Sequence, residues 1–123
     1  MGVEMSAPKP IVMKDMMALA ERADALDWRP FRDSVEIHQI YGTMGAPGPS
    51  ACLLRYAPGA RVARHRHVGY EHIFVLAGGQ TDDSGHLAAG TLLISPPGTE
   101  HAIVSHEGCI VLAIYEKPVS FDV

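Results

Sequence analysis

Cysteine is scarce in this chain of 123 residues: Cys52 and Cys109 are the two present, and no CxxC brings a pair together. Neither a zinc knuckle nor a redox dithiol is legible from that spacing, so both thiols are expected as small buried hydrophobes. Long apolar runs are missing too. The longest, residues 73–77 and 109–115, fall short of the roughly 18 residues that a membrane span needs, so no membrane partner is expected. Positive charge is in deficit, with ten Lys and Arg against fourteen Asp and Glu and a formal net charge of -4. Without a basic stripe to follow a phosphate backbone, nucleic acid is excluded as a direct ligand. Residues 1–10 lack the basic and apolar regions of a secretory signal, which leaves the cytoplasm as the expected compartment. Gly2 and Ser6 fit the acylation pattern MGxxx[ST], but so short a pattern arises often by chance, and Met5 offers a second start.

With 47% hydrophobic and 20% charged residues, the chain has the composition of one folded domain. Residues 1–34 read as an N-terminal extension. Within it, residues 12–26 place Val12, Met16, Leu19, Ala20, Ala23 and Leu26 at helical spacing, which predicts a short amphipathic helix laid on the outside of a sheet. Pro30 in the Trp28-Arg29-Pro30-Phe31 run prevents its continuation. From Val35 the texture changes to short β-rich runs (VEIHQIY, ACLLRYA, ARVARHRH, HIFVLA, TLLIS, HAIV, CIVLAIY) separated by Gly, Pro, Asp and Ser. Seven or more short strands predict an all-β sandwich or barrel over residues 35–119, with 120–123 as a tail. No helical period interrupts them, so a Rossmann half or phosphate loop is excluded, and Gly78-Gly79 is assigned to a hairpin.

Seven histidines are present, and their placement matters more than their number. His65 and His67 are two apart on a strand, so both imidazoles face one way. Glu71 follows in even register after the flexible 68–70 stretch, and His101 comes from another strand just after the Pro96-Pro97-Gly98 turn. Together they make a candidate metal site of three nitrogens and one oxygen. A basic patch is disfavoured because Glu71, Glu100 and Glu107 offset Arg64 and Arg66. Carrying the inward register backward from His65 gives Ala63 and Arg61; forward from Glu71 it gives Ile73 and Val75, and around His101 it gives Ile103 and Ser105. No acid or base beyond the metal ligands is placed for catalysis. Arg61, Tyr70, Ser105 and Tyr115 are the candidates for contact with a small-molecule substrate, each with a plainer alternative as rim charge, packing residue or strand-end cap. His72 turns to the opposite face, His38, His86 and His106 are expected in solvent, and Asp82, Asp83 and Ser84 are assigned to a hairpin turn.

The stretch from Gly59 reads G-x5-HxH-x3-E-x6-G through His65, His67, Glu71 and Gly78, and the stretch from Gly90 reads G-x5-PxG-x2-H-x3-S through Pro96, Gly98, His101 and Ser105. These resemble the two sequence boxes of the cupin superfamily, with Ser105 where that family usually has Asn. The resemblance implies a double-stranded β-helix, or jelly-roll barrel, holding one divalent metal ion; Fe(II), Zn, Mn and Ni all remain compatible with the ligand types. Leu54 to Ala60, Asp82-Asp83-Ser84-Gly85 and Glu107-Gly108-Cys109 are similar to the subgroup that includes the cupin domain of ChrR-type anti-sigma factors and small dioxygenases acting on aryl ketones. This implies a dioxygenase-like enzyme acting on a small carbonyl compound, or alternatively a zinc-binding sensory domain working through a protein partner. No Cys precedes Cys52, so the zinc-binding region by which such anti-sigma factors grip a sigma factor is not expected. The outer face of one strand (His72, Phe74, Leu76) and the amphipathic N-terminal segment predict a homodimer that buries both.

Overall fold

A computed structural model describes residues 7–123 of the chain; Gly2 and Ser6 lie outside the described residues. Nine strands follow an N-terminal 3₁₀ segment, Met16–Ala25: β1 Arg29–Arg32, β2 Val35–Tyr41, β3 Ser50–Tyr56, β4 Ala60–Arg66, β5 Glu71–Asp82, β6 Gly85–Ala88, β7 Leu92–Ser95, β8 Glu100–Ser105 and β9 Cys109–Tyr115. They curl into an all-β jelly roll in the order β1-β2-β3-β9-β5-β8-β4, with β6 and β7 also pairing to β5. No described helix is long and apolar enough to cross a membrane.

Alternation builds the barrel interior. On β3 and β9 the inward set is Cys52, Leu54, Tyr56, Cys109, Val111, Ala113 and Tyr115; on β5 it begins Glu71, Ile73, Val75. β5, which opens with Glu71, is shared by the two sheets of the barrel, one holding β9 and β7 and the other β6 and β8. Residues 71–78 pair with β9, whereas 79–82 pair with β6 and Thr81 pairs with β8. Gly78 makes the crossing, at φ +66°, where a Cβ would come within 2.0 Å of the Gly108 carbonyl oxygen. The Gly78-Gly79 pair is therefore a corner inside a long strand, correcting its assignment to a hairpin.

The N-terminal expectation is corrected in three respects. The helical segment is shorter than residues 12–26, it is of the 3₁₀ type, and it is kinked at Arg22. Leu19 and Ala23 are buried and Met16 and Leu26 half-buried, as the spacing implied, but Val12 and Ala20 are exposed. The Trp28-Arg29-Pro30-Phe31 run continues into β1, an edge strand in which a proline is tolerated. The 3₁₀ segment packs on the outer face of the large sheet, where Leu19, Ala23, Leu53, Leu76 and Ile110 form a second core with Phe74 against it. Phe74 and Leu76, expected at a dimer interface, are thus covered by the chain itself. His38 is half-buried, its Nδ1 3.1 Å from the Asp27 carbonyl oxygen, so it is less open to solvent than expected.

Candidate metal centre

His65, His67, Glu71 and His101 converge inside the barrel, and one ligand-capable atom of each lies within 4.8 Å of all the others. All four are buried, at 3%, 1%, 2% and 4% exposure. His65 sits directly opposite His101 in the β4–β8 ladder. His67 follows the end of β4, held by its N–H on the Thr99 carbonyl and its carbonyl on the Gly98 N–H, both at 2.8 Å. Glu71 opens β5. The three rings pack edge to face with centroids 4.6, 4.7 and 5.3 Å apart.

The shell behind the rings fixes their direction. His65 Nδ1 lies 2.8 Å from the Ala63 carbonyl oxygen, His67 Nδ1 3.1 Å from that of Thr99, and His101 Nδ1 2.7 Å from Asp82 Oδ2. An acceptor at every Nδ1 places the proton there and leaves each Nε2 lone pair facing inward. His101 Nε2 is buried and has no hydrogen-bond partner among the described residues. His67 Nε2 faces Glu71 Oε1 at 3.1 Å. With its Nδ1 proton given to Thr99, a neutral His67 would oppose lone pair to lone pair across that gap, which is stable only with a proton or a cation between them. Burial works against an imidazolium at His67, but the hydrogen bond and charge of Glu71 outweigh it and raise its pKa; His65, where burial dominates, is held below its ordinary value. This buried His/Glu cluster suits a divalent metal ion: three imidazoles and a carboxylate are compatible with Fe, Zn, Mn or Ni.

A β-bulge aims the histidines. Three steps from Val62 to His65 span what two span from Ile103 to His101, so the inward set changes from Ala60 and Val62 to His65 on β4 and His67 just past its end. The inward register carried back from His65 is corrected by one residue: Arg61 and Ala63 are exposed, and Val62 faces the core. Tyr70 is also exposed, in the loop before β5. Ser105 is fully buried, but its hydroxyl donates to the Gly79 carbonyl at 2.7 Å and so fastens the β5 corner. Tyr115 stands across the ladder from Glu71 and lines, with Glu71 and His65, a cavity of about 20 Å³. Burial, then the nearby Glu71 carboxylate, pushes its phenol pKa well above the ordinary range.

Three features of the site were not anticipated. Asp82 ends β5 with its side chain 2% exposed against His101, rather than serving only the turn. Phe31 and Arg32 from β1 line the cavity, and so does Phe121, whose ring lies 5.4 Å from that of His65. For Asp82 a signal existed, since it is in even register with Gln80 beyond the Gly78 corner; for the β1 and tail residues none did.

Several solved structures share the architecture. A putative acetylacetone dioxygenase from Methylibium petroleiphilum PM1 aligns over 98% of this chain and 86% of its own, at 16% identity and TM-score 0.74. A chain of the Rhodobacter sphaeroides complex of SigE with the anti-sigma ChrR aligns over 88% of this chain and 70% of its own, at 22% identity and TM-score 0.66. An RmlC-like cupin from Ralstonia eutropha JMP134 aligns over 78% at 20% identity and TM-score 0.67, with this chain spanning 66% of its length. At such identities the likeness is one of fold. No curated protein matches the sequence. The family described as the ChrR cupin-like domain matches residues 16–119, most of the chain and all four clustered side chains, and this protein belongs to it.

Proposed function

We propose that this protein binds one divalent metal ion through His65, His67, Glu71 and His101 and uses it in a dioxygenase-type reaction on a small carbonyl compound. The observation carrying this reading is the opposition of His67 Nε2 and Glu71 Oε1 at 3.1 Å beside the unpartnered His101 Nε2. Bound there, a metal ion supplies Lewis acidity and, where it is redox-active, oxygen activation. The chain's own groups do the rest. Leu54, Val62, Ile73 and Ile103 make an apolar wall that limits water around the reacting carbonyl. Tyr115 keeps its proton at neutral pH and turns it toward the Glu71 carboxylate, which it orients within the cluster. Besides Glu71, no carboxylate lines this cavity among the described residues, so its wall supplies no second carboxylate as a general base. The putative acetylacetone dioxygenase that shares the fold supports the choice of a carbonyl substrate.

The ChrR cupin-like family supports a second reading, a zinc-holding sensory domain that signals through a protein partner. The two separate on one experiment. Protein purified without added metal is analysed for metal content, then loaded with Fe(II) and assayed for oxygen uptake against diketones and aryl ketones. Turnover supports the enzyme; tightly held tetrahedral zinc and no turnover after iron loading supports the sensor. The double variant His65→Ala/His67→Ala is expected to contain no stoichiometric metal, and full occupancy would overturn the ligand assignment.

The free thiols Cys52 and Cys109 fit a reducing compartment, so the proposed location is the cytoplasm. Exposed Leu92, Ile94 and Ile114, clear of the 3₁₀ segment's core, support a homodimer through that part of the sheet. Light scattering should then give twice the chain mass, and a monomer at micromolar concentration would refute it.

A further inference from the structure

The cavity at the metal centre has room for about one water, so an organic ligand must enter by way of its rim. The rim is built on the ligand strand itself. Ser120 exchanges two backbone hydrogen bonds with Arg66, at 2.8 and 2.9 Å, between the two ligands His65 and His67. This lays Phe121 over the His65 ring at 5.4 Å. From the opposite side β1 brings Arg32, whose guanidinium carbon lies 4.4 Å from the centre of the Phe31 ring and 5.1 Å from that of Phe121. Two aromatic rings thus hold one cation at the entrance.

Arg55 pairs with Glu36 and Asp24, and Arg64 with Asp83 and Glu100, whereas Arg32 and Arg66 pair with no carboxylate among the described residues; of these two, Arg32 lines the inner cavity and lies against aromatic rings, while Arg66 reaches the Asp122 carbonyl oxygen. It stands, with Tyr56, in the walls both of the inner cavity and of a groove of about 550 Å³ that opens outward. Arg32 and Glu71 are the residues with formal charge in the inner lining. A guanidinium flanked by aromatic rings and unpaired offers its fork of N–H donors to a planar anion, and aromatic flanks favour a planar ligand beside it.

We infer that Arg32 is a specificity-determining residue that selects a planar anionic ligand, a carboxylate or an enolised dicarbonyl, at the entrance to the metal centre. The inference rests on the reading that the His/Glu cluster faces an organic ligand, and it narrows the carbonyl compound to one carrying delocalised negative charge. Phe31 and Phe121 hold the guanidinium in place, so they position rather than bind.

The test uses the zinc-loaded full chain, titrated with benzoate and with its neutral isostere benzamide, and followed by amide chemical shifts of residues 31, 32 and 121. The wild type should prefer benzoate, and Arg32→Gln should lose that preference by about 10- to 100-fold while leaving benzamide binding unchanged, as loss of a charge-assisted contact requires. Arg32→Lys should restore part of it. Equal affinity for the two probes in the wild type, no benzoate binding, or an unchanged preference in Arg32→Gln would each overturn the inference. A loss of both probes alike in Arg32→Gln would mean that the arginine only shapes the rim, and would also overturn it. Oxygen uptake by the iron-loaded protein is read separately: selectivity without turnover keeps the role of Arg32 and rejects the enzyme.

Discussion

Asp82 Oδ2 accepts a 2.7 Å hydrogen bond from His101 Nδ1, joining the end of β5 to the His/Glu cluster at His101 on β8, with both side chains at least 95% buried. The carboxylate fixes the imidazole tautomer and makes its Nε2 a stronger donor to a cation. Asp82→Asn retains an acceptor but loses the charge, and its amide could instead donate to Nδ1 and send the proton to Nε2. Zinc affinity in chelator competition should fall about 10- to 100-fold. Near-UV dichroism should stay that of the wild type, since a merely structural loss would move both signals. An unchanged affinity would remove Asp82 from the site.

The His/Glu cluster was legible because its spacing in sequence and its geometry agree: His65 near the end of β4 with His67 just beyond it, Glu71 at the start of the next strand, and His101 opposite His65. Seven strand cores were legible from alternation for the same reason. What escaped the sequence depends on backbone events that leave little local trace. The bulge between Val62 and His65 shifts the register without any Gly or Pro, so Arg61 was placed inward and is exposed. Asp82 looked like a turn residue because Asp-Asp-Ser-Gly is turn chemistry, and Ser84 N–H does bond to Asp82 Oδ1 at 2.7 Å. One carboxylate serves the turn with one oxygen and His101 with the other. Arg32 and Phe121 meet from opposite ends of the chain, a contact to which no periodicity points.

The two thiols should be inert while the chain is folded. Burial first, then the Glu71 charge, pushes Cys52 up to about 12; burial, partly offset by the neighbouring Ser105 hydroxyl and reinforced by Glu107, pushes Cys109 up to about 11. At pH 8 about one thousandth or less of either would be thiolate, the reactive form. A chromogenic disulfide reagent should therefore label neither thiol in the native protein and both in urea. The linkage runs in the matching direction: these pKa values are raised on folding, so their stabilisation is complete below the unfolded value near 9.0 and is lost as pH rises from there through 11 to 12. Rapid labelling at pH 8 without unfolding would show that the thiols are not buried as described.

Gln80 is fully buried on β5, and neither its Oε1 nor its Nε2 has a hydrogen-bond partner among the described residues. A buried amide left unpaired costs about 1 to 3 kcal/mol, whereas an apolar group of similar length at the same place costs nothing comparable. Methionine keeps the unbranched shape and adapts to irregular space. Gln80→Met is accordingly expected to raise the unfolding free energy by about 1 kcal/mol, after allowing for imperfect packing of the thioether. The measurement is urea unfolding of the metal-free protein, in which the midpoint should move to higher denaturant at constant slope, because a change of slope would signal altered compactness instead. Removing metal from both proteins matters, since a bound ion stabilises the folded state by mass action and would mask a difference of this size. A lower midpoint would mean that the amide finds partners in solution and that its burial belongs to a satisfied polar network. In that case Gln80→Glu should be worse still, because it removes the amide's N–H donors from that network and adds a charge that is costly to bury.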